Sequence, residues 1–482
     1  MLTKVDGLAT QLYIDGEWRD AGTGDKFDVL DPATGNPFAQ VSSAGVDDAM
    51  DAVSSAAKAL PAWSATAPRE RAELLRRTFE IMMKRERELA ALIVRENGKA
   101  MPDAVGEVRY AAEFFRWYSE EAVRAIGEIS RAPGGANRIA VLLEPIGVSV
   151  LVTPWNFPAA MATRKIGPAL AAGCTTVLKP ASDTPLTALA IAAILEEAGA
   201  PKGICNVVPS QRSGKIVGAM LHDPRVRKLS FTGSTEVGRV LLREAADCVV
   251  SSSMELGGNA PFIVLDDADL DAAVQGAMIA KMRNGGQACT AANRFYVQRK
   301  IAPHFTERLT AAMKSMRIGS GLDPKVSLGP LINAAAVNNV QGLVDDAVQK
   351  GARIRTGGAR MSGAGYFYPP TVLDKVPSGA RLLEEEIFGP VAPIIEFDDE
   401  NEAIALANDT PYGLAAYLYA GDLKRGLKIA EKLEAGMIGL NRGLISDPAA
   451  PFGGVKQSGL GREGAHEGMM EYLERKYIAV EW

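Results

Sequence analysis

The chain has 482 residues, 47% hydrophobic and 23% charged, the balance of an ordinary soluble globular protein of two to three domains. Lys and Arg number 53 against 58 Asp and Glu, a net charge of −5, so the basic footprint of a general nucleic-acid binder is absent. There are four cysteines and three histidines, and the nearest cysteine pair, Cys174 and Cys205, is 31 residues apart; this excludes a C-x-x-C motif, a disulfide scaffold and a His-rich metal site.

The N-terminus has no apolar run behind basic residues, which predicts no secretory signal and a cytoplasmic protein. Residues 68–96 read as one amphipathic helix with Leu74, Leu75, Ile81, Met82, Leu89 and Ile93 on its apolar side, stopped at Asn97-Gly98. Another helix is expected over 103–125, so the segment before about 130 reads as mostly helical. Residues 145–163 carry no charge over 19 positions, long enough by count to span a bilayer. Pro145, Pro154, Asn156 and Pro158 fall inside that run, and a strand over 146–153 fits it better than a membrane helix.

From 146 to 256 strands and helices alternate. Strands are expected over 146–153, 175–179, 204–208 and 226–231, and helices over 159–172, 185–197, 213–221 and 235–246. Repeated βα units imply an α/β fold with a mostly parallel sheet, helices on its faces and ligands at the carboxyl ends of its strands. A second mixed α/β region follows, with strands over 260–265, 295–298, 391–397 and 414–419 and helices over 268–283, 337–350, 402–408 and 423–434. Residues 475–482 read as a terminal strand.

Gly459-Leu-Gly461-Arg-Glu-Gly464 matches G-x-G-x-x-G, but no strand precedes it and only 18 residues follow, so it reads as a flexible loop rather than a dinucleotide fingerprint. Phe231-Thr-Gly233-Ser234 is the best glycine turn at a strand-to-helix junction, where helix amides can bind phosphate. Cys289 sits in Asn284-Gly-Gly-Gln-Ala-Cys289, between a helix and a strand, where two glycines leave a thiol accessible. Cys174, Cys205 and Cys248 read instead as small buried apolar residues. A nucleophilic thiol needs a base, and no histidine lies in a motif-like context. Glu255, at a strand end before Leu256-Gly-Gly, is either a base with a raised pKa or a satisfied acid at a sheet edge.

Seven blocks in order resemble the aldehyde dehydrogenase superfamily over nearly the whole chain. They are Pro154-Trp155-Asn156-Phe-Pro, Lys179-Pro-Ala-Ser182, Phe231-Thr-Gly233-Ser234-Thr, Glu255-Leu256-Gly-Gly, Gly286-Gln-Ala-Cys289, Glu386-Ile-Phe388-Gly-Pro and Pro451-Phe-Gly-Gly-Val-Lys-Gln-Ser-Gly. The resemblance implies two α/β domains with Rossmann-like parallel sheets and a small β oligomerisation arm. The dinucleotide-binding domain would be 1–127 with 148–258, the catalytic domain 259–440, and the arm 128–147 with 465–482. It also implies a homodimer or homotetramer, with no membrane or nucleic-acid partner and no metal.

On the same resemblance, Cys289 attacks an aldehyde, the Asn156 amide and the Cys289 amide hold the oxyanion, and Glu255 activates water against a thioester. Pro154, Trp155, Lys179, Ser182, Gly233, Ser234, Leu256, Glu386 and Phe388 would bind the cofactor. Relatives that prefer NAD often carry Glu where this chain has Ser182; a small neutral hydroxyl leaves room for a 2′-phosphate, so NADP is favoured over NAD.

Within the superfamily, Met161-Ala-Thr-Arg164-Lys-Ile-Gly-Pro, Lys281-Met-Arg283-Asn and Asn441-Arg-Gly-Leu-Ile-Ser446 resemble the succinate-semialdehyde dehydrogenase group. Arg164, Arg283 and Ser446 would then hold the far carboxylate of the substrate, a sound match of guanidinium to carboxylate, though by residue type either arginine could equally be a surface ion-pair member. The expected reaction is oxidation of succinate semialdehyde to succinate; the alternatives are glutarate semialdehyde, 2-oxoglutarate semialdehyde or another ω-carboxy aldehyde. Intact Cys289, Glu255 and Asn156 argue against a non-catalytic relative, and Glu255 against a CoA-acylating one. Several members of the group pair the nucleophile with a second cysteine two positions on; here that residue is Ala291, so no disulfide switch is expected. Arg442 stands where some relatives have an acid, which would alter the pocket rim.

Overall fold

The computed structural model describes residues 8–481. Residues 1–7 and Trp482, which the sequence assigns to the cofactor unit and the terminal strand, lie outside the described residues. Five parallel strands form the heart of an eight-stranded sheet, in the spatial order Ser251–Glu255, Val226–Thr232, Val148–Val152, Thr175–Lys179 and Cys205–Val207. The three middle strands are buried on both faces except at Arg227, as a sheet covered by helices on each side requires. The connections run outward in opposite directions from Val148–Val152, which places a switch point between it and Val226–Thr232. Ligands of open α/β sheets bind at such a point, outside the carboxyl ends of the strands.

A seven-stranded sheet orders Arg353–Thr356, Thr371–Asp374, Val391–Phe397, Ala292–Gln298, Ala260–Val264, Ala415–Tyr419 and Met437–Leu440, parallel except for the first pair. A separate three-stranded antiparallel sheet joins Glu128–Arg131, Arg138–Pro145 and Leu473–Val480, the last two in register over eight residues. The short strand Gly459–Leu460 leaves the C-terminal part and pairs with Ser251–Glu255 at the edge of the eight-stranded sheet.

Several elements differ from the sequence expectation. The first 42 residues hold four strands, Leu12–Ile14, Glu17–Arg19, Lys26–Asp31 and Asn36–Ser42. The first two extend the eight-stranded sheet, so their pairing is tertiary and leaves little local signal. The helix expected over 68–96 is two, Pro68–Lys84 and Glu86–Asn97, broken at Arg85, whose ψ of 16° leaves the helical region. Gly98 at φ 90° closes the second, as its sequence implies. Cys248 is exposed, contrary to expectation, because it caps the helix Thr235–Asp247 at its outer end, whereas Cys174 and Cys205 are buried. No described helix is long and apolar enough to cross a membrane.

Candidate active site

The loop that carries Cys289 begins as a short 3-10 turn, Arg283–Gly286, after the helix Leu270–Met282. Asn284 takes a left-handed conformation at φ 52°, uncommon for a side-chain-bearing residue. Its amide repays the strain by donating to the carbonyls of Asn156 at 2.8 Å and Gln287 at 3.2 Å. Gly286, also left-handed, has the Gly389 carbonyl so near that an added Cβ would lie 2.2 Å from it, so the close approach demands glycine. Ala288 and Ala291, on either side of Cys289, pack into the core of the cofactor-side layer. The thiol is thereby held between the two main sheets, half-buried.

Two cavities meet at Cys289. One, of about 540 Å³, opens at the switch point and is lined by all nine residues expected to bind a dinucleotide: Pro154, Trp155, Lys179, Ser182, Gly233, Ser234, Leu256, Glu386 and Phe388. The other, of about 450 Å³, lies on the opposite side of the thiol and is lined by Arg164, Arg283 and Ser446 together with Tyr110, Phe157 and Phe452. Arg442 lines neither; its guanidinium donates to the Leu444 carbonyl at 2.7 Å beside a neighbouring groove that shares Ser446. Position 291 is a buried alanine, and all four cysteines are free thiols.

The cofactor-side cavity fits a dinucleotide by its own chemistry. Lys179 is buried at the carboxyl end of its strand; its amine makes no hydrogen bond to another described residue, and burial lowers it to about 8, with Asp183 opposing. An orphaned cation in a cavity calls for a hydroxyl or phosphate partner. Ser234 caps the helix Thr235–Asp247, accepting from the Val237 amide at 3.4 Å, so the helix amides face the cleft as they do at phosphate sites. Glu386 accepts from the Gly258 amide at 2.8 Å, and burial raises its carboxyl to about 7. Among the described residues no cluster could hold a metal ion.

Glu255 is buried and Cys289 half-buried. Burial pushes the Cys289 thiol up to about 12; the Arg164 guanidinium pulls against this and Glu255 adds to it. Burial also raises Glu255 well above the ordinary carboxylate range, Glu463 adding to it and Arg164 and Lys165 opposing. One carboxylate oxygen of Glu255 has no hydrogen-bond partner among the described residues. A buried acid without partners, within electrostatic reach of a thiol, is poised as a proton acceptor. The Asn156 amide donates to the Gln287 carbonyl at 3.2 Å, leaving its second N–H for a ligand oxygen.

Sequence reasoning missed the residues that hold these groups. The helix Pro158–Ala172 is buried along its whole length, yet it carries Arg164 and Lys165. Glu463, from the glycine loop, forms ion pairs with both, and Arg164 also stacks on Phe452 at 4.5 Å. Gly459 of the same loop runs against the Glu255 strand; a Cβ there would sit 2.0 Å from the Met254 carbonyl. The G-x-G-x-x-G match is thus a close-approach loop that delivers a buried acid. Lys99 pairs with Glu107 in the interior and donates to the Asn156 carbonyl at 2.8 Å. Glu107 in turn accepts from the Ala159 amide at 2.8 Å, capping the Arg164 helix. In sequence Arg164, Lys165, Lys99 and Glu107 carry no mark of burial, and Glu463 reads as one acid of a glycine loop.

A nucleotide-sized cleft and an arginine-lined cavity joined at one thiol describe a cysteine-dependent aldehyde oxidoreductase, and residues 18–478 match the aldehyde dehydrogenase family. The chain belongs to that family. It is 51% identical over 470 residues to a glutarate-semialdehyde dehydrogenase of Pseudomonas aeruginosa, covering 98% of this chain and 97% of that protein. It is 50% identical over 470 residues, again 98% and 97%, to the succinate-semialdehyde dehydrogenase [NADP(+)] of Escherichia coli. Among solved structures it matches succinate-semialdehyde dehydrogenase from Burkholderia pseudomallei at 48% identity with a TM-score of 0.98, covering 99% and 100% of the two chains.

Proposed function

We propose that the protein oxidises succinate semialdehyde to succinate with NADP, or with NAD as a second cofactor. One observation carries the reading: the thiol of Cys289, the guanidinium groups of Arg164 and Arg283 and the Ser446 hydroxyl line a single cavity. An aldehyde with a carboxylate at its other end satisfies both halves of that lining. The Cys289 thiolate, its proton released to water, adds to the aldehyde carbon to give a thiohemiacetal, whose oxyanion takes the free Asn156 N–H and the Cys289 amide. A dinucleotide bound there would supply the hydride acceptor needed to take the thiohemiacetal to the thioester. Glu255 then takes a proton from water as it attacks, and succinate leaves as the thiol is restored. Lys179, Glu386, Gly233 and Ser234 would hold the dinucleotide, and Ser182 would admit a 2′-phosphate.

Glutarate semialdehyde is the second reading. Gly106 lines the same cavity, and nothing lies within 4 Å of a Cβ added there, which leaves room for another methylene. The aldehyde dehydrogenase relatives named above carry both substrate names. A kcat/KM panel of C3–C6 semialdehydes and neutral aldehydes, each with NAD and NADP, tests the assignment; equal values for butanal and succinate semialdehyde would refute it.

The three sheets support the division into a cofactor unit, a catalytic unit and an arm, and a cytoplasmic homo-oligomer is part of the reading. The arm exposes Ile129 at 72% and Tyr477 at 58%, apolar surface suited to a second copy of the chain.

A further inference from the structure

The cavity beside Cys289 holds a polar group that none of the motifs explains. The helix Met101–Glu121 turns Asp103, Gly106 and Tyr110 toward it, spaced by one helical turn. The Tyr110 ring packs edge-on against Phe114, with centroids 4.9 Å apart. Its hydroxyl is buried and, among the described residues, finds no acceptor for its hydrogen. Native proteins seldom leave such a group unsatisfied, and the exceptions cluster where a ligand completes the site.

The charged groups that act on the hydroxyl are Arg164 and Arg283, with Glu463 opposing them. Arginine only donates, so even a bond from Arg164 would leave the phenol hydrogen without an acceptor. Burial keeps the phenol protonated, the two guanidinium groups pulling the other way. Arg164 turns Nε to Glu463, and its buried Nη2 has no partner. Arg283 stacks on Phe157 at 5.1 Å and, among the described residues, has no carboxylate within ion-pairing distance. Three donors around one cavity thus lack an acceptor.

We propose that Tyr110 is a specificity-determining residue whose hydroxyl donates to the terminal carboxylate of the substrate, beside Arg164, Arg283 and Ser446. This rests on the carboxylated-aldehyde reading above. A carboxylate offers about four lone-pair sites, enough to serve all of these donors at once.

The test is Tyr110→Phe, which removes only a hydroxyl without an acceptor and leaves the ring packing in place. The ratio of kcat/KM for succinate semialdehyde to that for butanal should fall about tenfold, mostly through KM, as loss of one hydrogen bond to a charged group implies. Calorimetric binding of succinate should weaken by a similar factor. A ratio and a succinate affinity both within twofold of the unsubstituted protein, in an enzyme that itself prefers the carboxylated aldehyde, would overturn the role of Tyr110 alone. Absence of any such preference in the unsubstituted enzyme would overturn the substrate reading and this proposal with it.

Discussion

The two arginines of the substrate cavity should respond differently to removal, because their surroundings differ. Arg164 is 1% exposed in its side chain, paired with Glu463 and stacked on Phe452 at 4.5 Å. Breaking a buried ion pair from one side typically costs about 3–5 kcal/mol, because the partner charge is left stranded. Glu463 keeps Lys165 as a second partner, so Arg164→Met should fall near ~3 kcal/mol. Arg283 forms no salt bridge among the described residues; it lies over Phe157 at 5.1 Å, a contact worth roughly 0.5–1 kcal/mol at a partly exposed site, and within electrostatic reach of Asp103. Arg283→Met should therefore fold almost as stably as the parent. Both variants lose a charge-assisted bond to the substrate carboxylate, about 1.5–3 kcal/mol, or roughly 10- to 150-fold in kcat/KM for succinate semialdehyde. Urea unfolding, with kcat/KM for succinate semialdehyde and butanal measured on the same preparations, separates the two effects. Equal stability losses in the two variants would refute the structural argument. An equal fall for butanal would refute carboxylate reading by these side chains.

Glu255 acts as a base only when ionised, and burial raises its pKa, so deacylation should climb with pH above the ordinary carboxylate range; a kcat profile flat from pH 5 to pH 9 would contradict this. Glu255→Gln should give a burst of reduced cofactor and then stall at the thioester, whereas Cys289→Ala should bind cofactor, seen by calorimetry, and give neither burst nor acid. Ser182→Glu places a carboxylate where a 2′-phosphate would lie, and should raise KM for NADP at least tenfold while sparing NAD, since like charges at close range in a cleft cost about 1.4 kcal/mol or more; unchanged preference would remove Ser182 from cofactor selection.

The glycine loop at 459–464 shows where reading a single sequence stops. Its spacing excludes a dinucleotide site, and the structure agrees in placing the loop against the Glu255 strand. Nothing in the spacing reveals that Glu463 is buried against Arg164 and Lys165. The βα alternation from 146 to 256 was legible because each unit has local periodicity, a strand of apolar residues and then a helix with its own start and stop. The expected elements over 175–179, 185–197 and 213–221 coincide with Thr175–Lys179, Pro185–Glu197 and Ser213–Leu221. The four N-terminal strands were not legible, because short strands that pair with distant partners or with each other have little periodicity of their own.

By itself the sequence determined the α/β class and the family resemblance, and it singled out the candidate groups: one thiol in a glycine-rich loop, a glutamate in place of a histidine base and an asparagine amide. These follow from residue chemistry and from motifs a few residues long. Only the tertiary structure decided which charges are free to meet a ligand. Arg164 and Arg283 look alike in sequence, yet one is held in the interior by an acid 299 positions away, with Nη2 left over for a ligand, and the other has no salt bridge among the described residues. The same holds for Tyr110, an unremarked residue on an amphipathic helix until its buried hydroxyl is found without an acceptor. Burial and partnership are set by chain segments far apart in sequence, and they, more than residue type, fix the pKa and the availability of each group.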